Sequence, residues 1–314
     1  VSSGATLDVA GYSIANAMML NGGYVISSTG ANGALTGGIT LGASTSYFAA
    51  ASGATLTIGS AITDGSGTYG VVTGTSGNAG LVVFSTANTY DGGTTVAYGT
   101  LKTGNGGALG TAGVTVSSGA TLDVAGQTLS NSLTLSGTGV SGYALMNSSA
   151  TQGVIDGAVT LSGATTVGGS NPLKISGVIS GASKALTVAG TSTVTLTNTE
   201  TYTGATTINS GATLQLGDGT TAGTLASASA ITDNGTLTFN APSDVTYAGV
   251  LAGTGSVTKL GSGTLTLGNS SSNSTYSGGT TVSAGTLKAG SSYQPFGTAG
   301  VTVSSGATLD VAGQ

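Results

Sequence analysis

The sequence predicts an all-β protein, a right-handed parallel β-helix (β-solenoid) of about 13–14 coils of about 23 residues. Three observations carry this expectation. The phrase VSSGATLDVAG stands at residues 1–11, 116–126 and 303–313. A leucine in a G-(A)-T-L setting returns as Leu7, Leu56, Leu101, Leu122, Leu214, Leu237, Leu265, Leu287 and Leu309, at gaps that fit multiples of one period. Around these leucines, apolar and hydroxyl residues alternate for a few positions and then stop at Gly, Asn, Asp or Ser.

Each element follows from that alternation. In ATLDV (5–9) Leu7 and Val9 point one way and Thr6 and Asp8 the other, the period-2 pattern of a half-buried strand. TLTIG (55–59), TVTLT (193–197), TLTF (236–239) and TLTLG (264–268) repeat it. The punctuating residues accept the positive φ and local side-chain bonds that sharp turns need. No stretch has the period, length and caps of a helix. Strands this short hold no core alone, but stacked about 4.8 Å apart they form parallel ladders with continuous apolar columns. A sandwich or propeller is the alternative, and the unit is short for a four-stranded blade.

A longer echo overlies the period. TYDGGTTVAYGTLKTG (89–104) returns as TYSGGTTVSAGTLKAG (275–290), and GTAGVTVSSGATLDVAGQ occupies both 110–127 and 297–314. The offset grows by one residue between the two echoes. Such a slip belongs in a turn, because within a strand it would exchange buried and exposed faces. Residues 1–314 are expected to be one continuous repeat segment, read as a piece of a longer repetitive protein since it begins at Val1 without Met.

Composition closes several functions. The chain has no His, Cys, Trp or Arg, five Lys, nine Asp and one glutamate, Glu200, for a net charge of −5. Nucleic-acid binding needs clustered cations to displace counterions, and none are present. No apolar run approaches the ~18 residues of a membrane span. Without His, Cys or Arg, the commonest acid–base and nucleophilic groups are missing, and soft-metal sites lack their ligands. No catalytic, cofactor or metal site is read from the sequence. ITDGSG (62–67) and LGDGTTAG (216–223) resemble calcium-binding turns but stand alone.

GSGTLTLGNSSSNSTYSGGTTVSAGTLKAG (261–290), with weaker copies at 81–104 and 194–217, resembles the autotransporter-associated β-strand repeat. That resemblance implies a β-helical passenger region of a type V secreted bacterial surface protein. It also implies an extracellular location and an adhesin-like role, with glycans, other surface proteins or further copies of the chain as partners.

The remaining candidates are weighed on their residues. Asp8, Asp123 and Asp310 share an outward position in the repeated phrase; paired carboxylates could hydrolyse glycosides, but a solubilising role accounts for them. Asp64, Asp91, Asp156, Asp218 and Asp233 read as turn residues. Outward pairs Thr55/Thr57, Thr193/Thr195, Thr236/Thr238 and Thr264/Thr266 resemble ice-binding faces, yet Thr is also the best polar strand former. The phrase T-Y-x-G sets Tyr90, Tyr202, Tyr247 and Tyr276 at gaps that suggest one shared corner. They read either as an aromatic surface-contact strip or as corner rings packed on the neighbouring coil. The sequence therefore predicts a non-enzymatic stalk or fibre segment, with a self-assembling extracellular filament subunit as the alternative.

Overall fold

A computed structural model describes all residues except 29, 44, 227–229, 269–271, 292 and 312–314. The end of the third VSSGATLDVAG copy thus lies outside the described residues. Among the described residues there are 36 strands and no helix. The strands are parallel and stack as β-solenoid coils, about 14 turns of about 21 residues. The chain resolves into two compact units, Val1–Gly163 and Ala164–Gln314.

In the first unit each coil contributes up to three strands, one per face. The first face runs Thr6–Asp8, Tyr24–Ser27, Thr45–Ala50, Gly70–Thr73, Thr94–Val96, Val114–Val116, Leu133–Gly137. The second runs Ser13–Ile14, Gly33–Leu35, Thr55–Ile58, Leu81–Phe84, Thr100–Thr103, Thr121–Asp123, Leu145–Met146. The third holds Met18–Leu20, Ile39–Leu41 and Ile62–Thr63, then Thr128–Leu129 with Gly153–Ile155. Register converts the alternation into columns. Leu56, Val82, Leu101, Leu122 and Leu145 lie opposite one another, all buried. Phe48 and Phe84 meet edge to face at 5.7 Å and join the cores of two faces.

The second unit repeats the scheme. One face runs Leu186–Gly190, Thr206–Ile208, Ile231–Asp233, Leu251–Ala252. Another runs Leu173–Ile175, Thr193–Leu196, Thr213–Leu216, Thr236–Phe239, Ser256–Lys259, Thr280–Val282, Val301–Val303. A third holds Val245–Tyr247, Thr264–Leu267, Thr286–Ala289 and Thr308–Asp310. Lys259 stands in the inward column between Phe239 and Val282, where its ammonium donates to the carbonyls of Gly261 and Ala284. Burial lowers its pKa, partly opposed by Asp244.

The coils are shorter than the leucine spacing suggests, for a geometric reason. Leu7 lies on the first face, opposite Val25, whereas Leu56, Leu101 and Leu122 lie on the second. The first marker gap therefore includes an extra side of a coil. Coil length also varies: Thr6 pairs with Tyr24, but Thr206 pairs with Ile231, a longer circuit. Extra residues are held in turns, as in the Thr75–Asn78 hairpin of another coil, while the strands keep register.

The aspartates of the repeated phrase differ in how far they are covered. Asp8 is exposed, Asp310 half-buried, and Asp123 is 4 % exposed. Asp123 lies between Lys102 and Met146 in register, with the Lys102 ammonium 3.9 Å away. Its carboxylate also folds back to cap a turn: Oδ1 accepts from Ala125 N (3.0 Å) and from Ser148 N of the next coil (2.9 Å). Asp8 makes the same two bonds, to Ala10 N (3.0 Å) and Ser28 N (3.1 Å). Ala10 and Ala125 take positive φ, 35° and 45°, in the turn so capped.

Candidate functional site

The four sequence-selected tyrosines are all buried: Tyr90, Tyr202 and Tyr276 are 0 % exposed and Tyr247 3 %. They offer no ring to a partner, and the surface-contact strip is absent. Nor do they share one corner. Within the second unit Tyr202 precedes the face that starts with Thr206, whereas Thr275 extends that face by donating to Leu251 O. Tyr276 therefore stands one side further round. Unequal turn lengths defeat the spacing argument.

Three of the four form one repeated device. The Tyr90 hydroxyl meets Thr94 Oγ1 at 2.6 Å, Tyr202 meets Thr206 at 2.7 Å, and Tyr276 meets Thr280 at 2.5 Å. The working motif is thus T-Y-x-G-x-T. Thr94 Oγ1 donates its only proton to Leu109 O (2.8 Å), so the Tyr90 hydroxyl is the donor to Thr94. Thr280 donates likewise to Phe296 O (3.3 Å). The Tyr90 and Tyr276 rings are thereby tied to the following coil. The motif's glycine is set by close approach: a Cβ at Gly92 would come within 2.4 Å of Gly70 N, and one at Gly204 or Gly278 would strike Lys184 or Gly255 backbone. In the fourth phrase Leu251 replaces the threonine, and Tyr247 instead tilts against Phe239 at 6.2 Å. Burial raises the pKa of all four phenols, Tyr276 to about 12. They are neutral donors at any physiological pH.

The asymmetry between losing a bond and stranding a group makes this testable. Tyr90→Phe is expected to cost about 1 kcal/mol, and Thr94→Val about 1–3 kcal/mol because it leaves the buried phenol without its acceptor. Urea unfolding of the two variants gives the ordering; equal costs would contradict the clamp.

A second position emerges only when the motifs are aligned on tyrosine. Two residues before the ring stand Asn88, Glu200 and Ser274, all buried. Each accepts an inward N–H of the preceding coil: Ile62 N to Asn88 Oδ1 (2.7 Å), Ile179 N to Glu200 Oε2 (2.5 Å), Leu251 N to Ser274 Oγ (3.3 Å). Asn88 uses its amide nitrogen as well, donating to Ala108 O (2.5 Å). Among the described residues Glu200 Oε1 has no partner. Desolvation raises the Glu200 pKa from 4.5 to about 7, opposed by the bond from Ile179. Sequence reading missed this position because Asn, Glu and Ser share no size or charge.

Asp233, expected in a turn, does accept from Gly235 N (3.0 Å), but it is 0 % exposed and its Oδ2 has no partner among the described residues. Its register partner is the core residue Ile208, and burial raises its pKa to about 6. Asp64 is buried; its Oδ2 accepts from Tyr69 N in its own turn (3.4 Å) and from Asp91 N of the following coil (2.9 Å). Asp218 pairs with Lys174 at 2.8 Å and caps Thr220 and Thr221, which hold its pKa well below the usual carboxylate range. Among the described residues no His/Cys/Asp/Glu cluster of three or more is placed to hold a metal. The outward threonines do align, Thr195, Gln215, Thr238 and Thr258 in one column, but Thr195 and Thr238 are buried with Gln215 between them. No flat hydroxyl face results there.

The clamps coincide with a known repeat. The passenger-associated-transport-repeat family matches residues 78–103, 186–216 and 257–289, and each match contains one tyrosine–threonine pair. Three stretches of the chain match that repeat. Tyr247, whose phrase lacks the threonine, falls outside every match. The chain is also 47% identical over 76 residues to the adhesin BmaC autotransporter of Brucella suis biovar 1 (strain 1330); the alignment takes in 24% of this chain and 2% of that protein. No solved structure matches. Among the described residues no helix is long and apolar enough to cross a membrane, which leaves strand-built barrels unaddressed.

Proposed function

We propose that this chain is a non-enzymatic, extracellular passenger segment that displays surface for attachment to other cells or matrix. The observation that supports it is the threefold passenger repeat, each copy locked by the same buried clamp. The likeness to a protein named as an autotransporter adhesin supports the same reading. The coils suit that task physically. Parallel ladders, apolar columns and buried tyrosines supply order in a chain with no cysteine, and the surface left over is sparsely charged. Weak contacts repeated along such a surface add through effective concentration, with glycans or surface proteins as the partners.

The test is display. The whole chain is fused to a heterologous outer-membrane anchor, and adherence of the cells to host cells, to matrix and to one another is compared with anchor alone. A severalfold gain in adherence is expected. No gain on any of the three surfaces sinks the reading, and unbranched fibres from the purified chain in electron micrographs would replace it with a filament subunit.

A further inference from the structure

Partly accessible aromatic rings, which the T-Y-x-G tyrosines do not supply, stand elsewhere in the first unit. On the outward side of the first face, Tyr24 lies in register with Tyr47, and their rings stack at 4.5 Å with an interplanar angle of 17°. Both are half-buried, whereas the same column is continued by Val72, Thr95, Thr115 and Thr134. Two cavities open beside Tyr24, one of them shared with Tyr47. One, of about 460 Å³, is lined by both rings together with Ser3, Asn21, Gly22 and Thr45. The other, of about 270 Å³, is lined by Tyr24, Thr6, Ile26, Thr75 and Asn78. Its far wall is the hairpin closed by the mutual backbone bonds of Thr75 and Asn78, 3.1 and 3.0 Å. Tyr24 therefore stands between two adjoining recesses.

The lining sets the chemistry of an occupant. It holds ring faces and edges, side-chain amides (Asn21, Asn78) and hydroxyls, and no charged side chain. An ionic partner finds no counter-charge there. A pyranose matches each part: its C–H face packs on an aromatic ring, and its hydroxyls meet amide and hydroxyl groups that both donate and accept. Two recesses sharing one ring suit consecutive units of a linear chain, and their sizes are near those of sites for small ligands.

We propose that Tyr24 and Tyr47, with Asn21 and Asn78, form a binding site for a neutral linear polysaccharide. The proposal rests on the attachment reading and names a ligand class for it. The test is NMR on the whole chain, following the ring resonances of Tyr24 and Tyr47 during titration with cellohexaose, maltohexaose and laminarihexaose, and with a sulfated heparin hexasaccharide. At least one neutral hexasaccharide is expected to shift both rings at ~10 mM or below, a millimolar interaction. That binding persists when salt is raised several-fold, since no ion pair contributes. Tyr24→Ala weakens it at least tenfold, and Tyr12→Ala, at a residue 73 % exposed and outside both cavities, leaves it unchanged. A circular-dichroism spectrum and hydrogen-exchange pattern like those of the parent show that Tyr24→Ala still folds; Tyr47→Phe, which keeps the stack, is the second variant and retains binding.

Three results overturn the site: no shift with any neutral sugar, binding only of the sulfated sugar, or undiminished binding in Tyr24→Ala. If the site fails while displayed cells still adhere, the attachment reading stands without it. If displayed cells do not adhere but the sugar binds at Tyr24, the site stands and the attachment reading falls.

Discussion

Raising the pH from 4.5 to 8 is expected to destabilise the second unit by about 3 kcal/mol through Glu200 alone. Below pH 4.5 the carboxyl is protonated whether the chain is folded or not, and full stability is present. Between 4.5 and about 7 the unfolded carboxyl ionises while the buried one keeps its proton, so stability falls. Above about 7 both are ionised and the loss levels off. At ~1.4 kcal/mol per pKa unit the gap gives the stated figure, an upper value for a buried group that relaxes on ionising. Asp233 acts in the same direction between 3.8 and about 6. The chain has no histidine, so no ordinary side chain masks this window.

The geometry explains the direction. Asn88 N donates to Gly107 O and Glu200 N to Thr224 O, so the two side chains occupy equivalent places. Asn88 satisfies an N–H behind it and a carbonyl ahead; an ionised Glu200 can do only the first. A protonated Glu200 has an O–H for the second, as an amide does. Glu200→Gln is therefore expected to remove the Glu200 part of this loss, leaving the fall that Asp233 causes below about pH 6 and a flat stability from there to pH 8. Because the chain has one glutamate, a carboxyl carbon-13 label in Glu gives a single resonance, and its midpoint reads the titration directly. A midpoint below 5, or urea midpoints that rise between pH 5 and 8, would contradict the assignment.

The second large effect is expected at the glycine that seats Tyr90. Gly110 has φ +73°, and a methyl there would stand 2.5 Å from Tyr90 O and 2.7 Å from the ring. Gly297 has the same relation to Tyr276, with φ +74°. Gly110→Ala combines left-handed backbone strain, about 1–2 kcal/mol, with overpacking of about 1–3 kcal/mol. A total of about 3–4 kcal/mol is expected. Gly119 supplies the control: its φ is +87° but a methyl there meets nothing within 4 Å, so Gly119→Ala should cost only the backbone part. Equal losses in the two variants, measured by urea unfolding, would show that the ring contact is not what fixes Gly110.

These two sites show what the sequence revealed and what it hid. Alternation in TLTIG and TLTLG declared strands, turns and core columns, because one face of each strand must be apolar. The first glycine of GTAGVTVSSGATLDVAGQ was visible as a repeat, but its reason lies in the ring of Tyr90, across a coil boundary. T-Y-x-G was visible too, but the partners of three of its phenols, Thr94, Thr206 and Thr280, read as ordinary strand residues. The burial of Asp233 was illegible for a related reason. It sits in a turn-like TDNG string, and only its pairing with Ile208 places it inward. Tyr24 and Tyr47 were hidden by register, since they belong to successive coils and meet only because the chain between them closes to the right length.

The capping aspartates of the repeated phrase have a consequence for how such a gene can grow. Asp8 and Asp123 reach the following coil through the amides of Ser28 and Ser148, so they recognise main chain and are indifferent to the side chain attached. A copied phrase inserted beneath an unrelated coil finds the partner it needs at once, proline excepted. Recombination can then lengthen the protein in one step, with no matching change in the neighbour selected beforehand. The verbatim copies stacked under different sequences at Asp8 and Asp123 are what that freedom permits.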